Sequence, residues 1–121
     1  MLGLRTTIYK VNDIIKAKEW YANAFGTQPY FDEPFYVGFN IGGFELGLQP
    51  DPAPPASKVE TVVAYWGVTD INETYNRLIG IGATAHEPPC NVGEDLMTAT
   101  VKDPFGNILG LIYNPHFKIS S

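Results

Sequence analysis

Apolar and polar positions change period several times along this chain, and the changes outline its elements. Thr6, Thr7, Ile8, Tyr9 and Val11 crowd residues 5–11 with β-branched and aromatic side chains, which predicts a strand. Helical spacing then takes over. Ile14, Ala17, Trp20, Tyr21, Ala24 and Phe25 fall on one stripe. Asn12 or Asp13 can accept from the free N–H groups of the first turn, and Gly26 suits a helix end. Three extended runs follow, over 29–32, 35–41 and 44–49, and Gly42-Gly43 between the last two signals a hairpin.

Pro50, Pro52, Pro54 and Pro55 remove backbone donors and stiffen the chain, so residues 51–57 read as a linker. The pattern then restarts. Residues 59–68 predict a strand. Asp70 caps a helix carrying Ile71, Tyr75, Leu78 and Ile79, with Glu73 and Arg77 one turn apart and Gly80 and Gly82 at its end. A short strand is expected over 83–85, and Pro88-Pro89 are expected to break the chain. Strands over 96–101 and 108–113 are joined by the turn Asp103-Pro104-Phe105-Gly106-Asn107, with a loop-like tail from 114 to 121. Leu46-Gly47-Leu48 in the first half is echoed by Leu109-Gly110-Leu111 in the second. The fold class predicted is α+β: one domain of 121 residues made of two βαβββ modules, 1–50 and 58–121. A helix covers one face of each sheet. The other face is covered by the second module or a partner, or stays open as a concave pocket wall.

Composition narrows the functions. Hydrophobic residues make up 45% and charged residues 17%, an ordinary globular balance. No apolar run approaches the roughly 20 residues of a membrane span, and no basic segment precedes an apolar one at the N-terminus. A cytoplasmic protein without a membrane partner is the default expectation. A net charge of −5 argues against a nucleic-acid partner and is compatible with a cationic ligand. Cys90 is the only cysteine, so no intrachain disulfide forms, and no histidine adjoins it to make a nucleophile. The glycines at 38, 42 and 43 are not spaced to cradle phosphate, and Ser57, Ser120 and Ser121 lie in linker and tail. Asp13 and Asp70 read as caps and Asp103 as a turn residue.

Two βαβββ modules closing on Asp103-Pro104-Phe105-Gly106-Asn107 and a strand resemble the vicinal oxygen chelate superfamily. That group includes glyoxalase I, extradiol dioxygenases, fosfomycin-resistance enzymes and bleomycin-resistance proteins. Val11-Asn12-Asp13 leading to Trp20-Tyr21 and Phe25-Gly26, and Val68-Thr69-Asp70 leading to Gly82-Ala83, carry the same resemblance. It implies a curved mixed sheet around a concave cavity, and a homodimer. It also implies a divalent metal held by His or Glu from the first and last strand of each module. Thr6 and Val63 each stand seven residues before a capping Asp, where the first-strand ligands belong. Gly110 stands seven residues after Asp103, and the echo puts Gly47 at the matching place. Valine and glycine offer no ligating atom, and a neutral threonine hydroxyl is a poor ligand. No metal and no other cofactor is therefore expected. His86 and His116, the only histidines, lie outside these strands, in a loop and in the tail. A non-standard site built from them with Glu45 is the alternative.

Alternation along the strands puts Thr6, Ile8, Glu45, Gly47, Val63, Tyr65, Gly110 and Ile112 on the cavity face, with Trp66 turned to the core. Gly47 and Gly110 are expected to leave space there. Glu45 is either a solvated charge on an edge strand or a carboxylate that orients a ligand's basic group. Together these readings favour a metal-independent protein that binds a small, partly apolar molecule. The alternatives are a glyoxalase-like or dioxygenase-like enzyme with a displaced metal site, and an interaction module whose concave face is buried in assembly.

Overall fold

Tyr9 stacks on Tyr21 with ring centroids 5.6 Å apart, which fixes how the first strand meets the first helix. This computed structural model of the protein describes residues 5–52, 63–93 and 95–115. Strand β1 (Thr6–Val11) leads into helix α1 (Ile14–Phe25). Asp13 caps α1 by accepting from the Lys16 N–H at 3.1 Å. Gly26, at φ 67°, ends it in the left-handed conformation. The apolar stripe buries Ala17, Tyr21 and Ala24. Then come β2 (Phe31–Glu33), β3 (Tyr36–Ile41) and β4 (Phe44–Pro50).

The four strands form a mixed sheet in the order β1-β4-β3-β2, with β1 parallel to β4 and the other pairs antiparallel. Gly42 and Gly43, at φ 59° and 94°, make the two-residue turn that sets Ile41 opposite Phe44. The Asn40 side chain supports this turn by accepting from the Gly43 N–H at 2.9 Å. Tyr9 pairs with Leu48, which pairs with Val37, so these three share the helix side of the sheet. Val11, Val37, Phe39, Leu46 and Leu48 are all buried. Each such side chain contributes about 1.5–3 kcal/mol relative to exposure. The opposite face carries Thr6, Ile8, Tyr36, Gly38, Glu45 and Gly47 by the same pairing. Glu45 therefore lies on an interior strand, not on the edge strand expected for a solvated charge.

The second unit repeats this order. Strand β5 (Ala64–Gly67) precedes α2 (Ile71–Gly80), capped by Asp70 through the Glu73 N–H at 3.1 Å. Strands β6 (Thr84–Asn91), β7 (Met97–Lys102) and β8 (Ile108–Tyr113) complete a sheet ordered β5-β8-β7-β6, with β5 parallel to β8. The expected strand over 59–68 is seen from Ala64, residues 59–62 lying outside the described ones. Phe105–Asn107, in the β7–β8 turn, groups with the first unit, where the Asn107 side chain donates to the Lys10 carbonyl at 2.9 Å.

One expectation is overturned. Pro88-Pro89 do not break the chain; β6 runs straight through them. It is the edge strand, where a missing donor costs no ladder bond. Its pairing with β7 shifts register between Ala85 and Glu87 and between Glu87 and Cys90, so the bulges absorb the prolines. His86 accordingly sits on a strand and not in a loop, and Cys90 lies on the same strand. The fold class is α+β, two βαβββ modules each with its own four-stranded mixed sheet.

Candidate functional site

The face of the first sheet turned away from α1 holds an ordered polar group. Thr6 pairs with Glu45 and Ile8 with Gly47, so four of the expected site residues stand together there. Tyr36 donates its hydroxyl to Glu45 Oε1 at 2.7 Å, and Tyr30 donates to Glu45 Oε2. Those bonds, the Tyr30 one foremost, hold the Glu45 carboxyl below its ordinary value of 4.5, against a small opposing effect of burial. Glu45 is thus ionised at neutral pH. The converse holds for the phenols. Tyr36 is raised above 10.0 by burial and by its bond to Glu45, and Tyr30 is raised chiefly by its bond to Glu45. The Thr6 hydroxyl lies close enough to favour the charged carboxylate, yet it is shielded from solvent and forms no well-shaped hydrogen bond.

Gly38 and Gly47 let this group lie flat on the sheet. A Cβ on Gly38 would stand 3.2 Å from Glu45 Oε2 and 3.2 Å from the Tyr30 ring. A Cβ on Gly47 would collide with the Tyr36 hydroxyl and stand 2.7 Å from Cζ. The space expected over Gly47 is therefore taken by Tyr36.

The second sheet shows the same device. Tyr65 pairs with Gly110, and Gly67 with Ile112, so Tyr65, Gly110 and Ile112 share a face. A Cβ on Gly110 would stand 2.7 Å from the Ala64 carbonyl oxygen and 2.7 Å from Tyr65 Cδ1. Here too a tyrosine ring, 47% exposed, covers the glycine that was expected to leave room. Val63 is half-buried just before β5. Across the face, Thr100 opposite Gly110 donates to Glu87 Oε1 at 3.1 Å and stands 2.8 Å from His86 Nδ1. With the Thr100 proton directed to Glu87, its oxygen accepts from an Nδ1–H of His86.

Sequence reasoning passed over Tyr30, Tyr36 and the His86–Thr100–Glu87 chain. Tyr36 was within reach: the Gly42-Gly43 turn fixes Gly38 opposite Gly47, and Tyr36 is two residues along on the same face. Tyr30 precedes β2, and the edge of the sheet, not alternation, brings it to Glu45. The histidine was hidden by the prolines that disguise β6.

The sequence profile of the Glyoxalase/Bleomycin resistance protein/Dioxygenase superfamily matches residues 3–111. The chain belongs to this superfamily. No curated protein matches it in sequence. Among solved structures, a glyoxalase-related enzyme from Fulvimarina pelagi is similar over 100% of this chain and 94% of its own, at 17% identity and a TM-score of 0.82. A glyoxalase/bleomycin resistance protein/dioxygenase family enzyme from Burkholderia phytofirmans PsJN aligns over 89% of this chain and 95% of its own, at 18% identity and a TM-score of 0.74. The bleomycin resistance determinant encoded on the transposon Tn5 aligns over 93% and 98%, at 19% identity and a TM-score of 0.73. At such identities the likeness speaks for the fold, and one fold hosts many activities.

The superfamily's metal does not fit the residues present. Two of the four expected ligand positions have no side chain, and each of those is overlaid by a tyrosine. The others hold a valine and a threonine. Among the described residues, no three His, Cys, Asp or Glu side chains converge as a metal ion requires. His116, part of the alternative site, lies outside the described residues. No helix of the described chain is long and apolar enough to cross a membrane.

Proposed function

We propose that this member of the superfamily binds a small, partly apolar molecule on its open sheet faces, without a metal ion. The observation that carries the proposal is the filling of the glycine positions. Tyr36 over Gly47 and Tyr65 over Gly110 place aromatic surface where carboxylate ligands would project. On the first sheet Ile8, 42% exposed, adds apolar surface beside the Glu45 group, and on the second Tyr65, 47% exposed, adds it on the face of Thr100. That mixture is what a small-molecule site presents.

The test is a thermal-shift screen of small amphipathic compounds in the presence of a chelator. A ligand that binds only the folded state raises its melting temperature. The reading expects hits whose shift is the same with chelator and with added divalent metal, and which are lost in Ile8→Asp where they bind the first sheet and in Tyr65→Ala where they bind the second. Hits that appear only with added metal would contradict it.

A further inference from the structure

The reading above leaves the chemistry of the ligand open, and the Glu45 group supplies it. The Lys–carboxylate ion pair seen among the described residues, Lys18–Asp32, does not involve Glu45. Its carboxylate oxygens accept from two phenol hydroxyls, and the neutral Thr6 hydroxyl lies beside them. Each carboxylate oxygen accepts one phenol proton and keeps capacity for another contact. The ionised carboxylate is thus held in place by neutral hydroxyl groups.

Aromatic rings lie beside that charge. Phe31 pairs with Gly38 and so shares the face of Glu45. Its ring lies 6.2 Å from Tyr36 and 6.1 Å from Phe35. Phe31, Tyr30 and Phe35 are 40%, 63% and 65% exposed, so open aromatic surface runs from the carboxylate's own partner Tyr30 and along Phe31 to Phe35. A cation near a ring face is attracted by the ring's quadrupole. Donation of the Tyr30 and Tyr36 hydroxyls to a carboxylate makes those rings richer in electrons, which strengthens the attraction. Both phenols also stay protonated to above their usual range, so they compete for no cation as phenolates. A strongly hydrated metal ion gains little from ring faces. An alkylated ammonium group gains from both rings and carboxylate.

Resting on the binding reading, we infer that the first sheet's open face takes an organic cation, an alkylated or quaternary ammonium group with an apolar substituent. The ammonium centre sits against Glu45 between the Phe31, Tyr30 and Tyr36 rings, and the substituent lies on the exposed aromatic surface.

The probe is benzyltrimethylammonium, compared with the neutral near-isostere 2,2-dimethyl-3-phenylpropan-1-ol, each titrated by NMR into the full-length protein up to millimolar concentration. The cation is expected to bind saturably and about tenfold or more tighter than the alcohol. Glu45→Gln, close to isosteric and checked for folding by its melt, is expected to remove that preference and leave the alcohol unaffected. Phe31→Leu, a second variant off the carboxylate, is expected to shrink the preference while Glu45 stays intact. Equal binding of cation and alcohol, or a preference that survives Glu45→Gln, would overturn the assignment of the cation while leaving metal-free binding standing. Saturation by neither compound would also overturn it. The binding reading fails on a different result, hits that depend on added metal.

Discussion

Gly47 and Gly110 show how much one atom decides in this protein. Their equivalence was legible from the echo of Leu46-Gly47-Leu48 in Leu109-Gly110-Leu111, but the reason for glycine was not. The lack of a side chain looked like room for a ligand; in the folded protein it is room for a tyrosine. The two sites differ in what a methyl group would strike. On Gly110 it meets the Ala64 carbonyl, part of the paired strand's backbone, whereas on Gly47 it meets the mobile end of the Tyr36 side chain. Gly110→Ala is therefore expected to destabilise by about 1–3 kcal/mol in urea unfolding, as overpacking does. Gly47→Ala is expected to cost less, because Tyr36 can swing aside at the expense of its bond to Glu45. Combining Gly47→Ala with Tyr36→Ala should be distinctly non-additive, since both act through one contact. The reverse ranking of the two glycine variants would show that the tyrosines do not sit as described.

Glu45 has its own signature in pH. Its carboxyl is lowered in the folded state, so the stability it contributes is present above the unfolded value of about 4.5 and is lost as pH falls through the lower folded value. Unfolding curves of the native chain and Glu45→Gln should differ by a constant amount above the unfolded value and converge as pH falls from there through the folded one. Tyr36 runs the other way. Its value is raised, so its contribution is present below pH 10.0 and lost as pH rises past it. A gap that is flat across the acid range would mean that Glu45 is not held by its tyrosines.

Elements were readable wherever a period and a cap agreed. Both helices begin at the aspartates that local chemistry singled out, Asp13 and Asp70. Asp13→Ala and Asp70→Ala are each expected to cost about 1 kcal/mol by thermal or urea unfolding. They share no hydrogen-bond partner, so the double variant should lose the sum to within a few tenths of a kcal/mol. Strong non-additivity would indicate that one helix forms only with the other. Strand β6 was foreseen only at its start, over 83–85, and not through its prolines. Thr84–Asn91 has no apolar alternation and carries two prolines, so nothing in it favours a strand by period. Only its place at the sheet edge makes it one, and edge position is set by the order of the other strands. The expected strand over 83–85 stopped short of His86, and so the His86–Thr100–Glu87 chain went unseen.

At the scale of the molecule, the fold was legible because it is stated twice. Two repeats of strand, helix and strands carry enough redundancy that a misjudged strand leaves the class unchanged. Function is stated only once, on faces whose chemistry depends on side chains meeting from different strands. Thr6 and Glu45 are far apart in the chain and opposite one another in the sheet. Membership of the superfamily does not supply the ligand either, since the four positions that would define a metal site hold Thr6, Gly47, Val63 and Gly110. The central claim is that binding here proceeds without a metal. Its most direct test is the metal content of protein purified after supplementation with nickel, zinc, manganese and iron, then dialysed. The proposal predicts far less than one ion per chain; a stoichiometric ion that survives dialysis would contradict it.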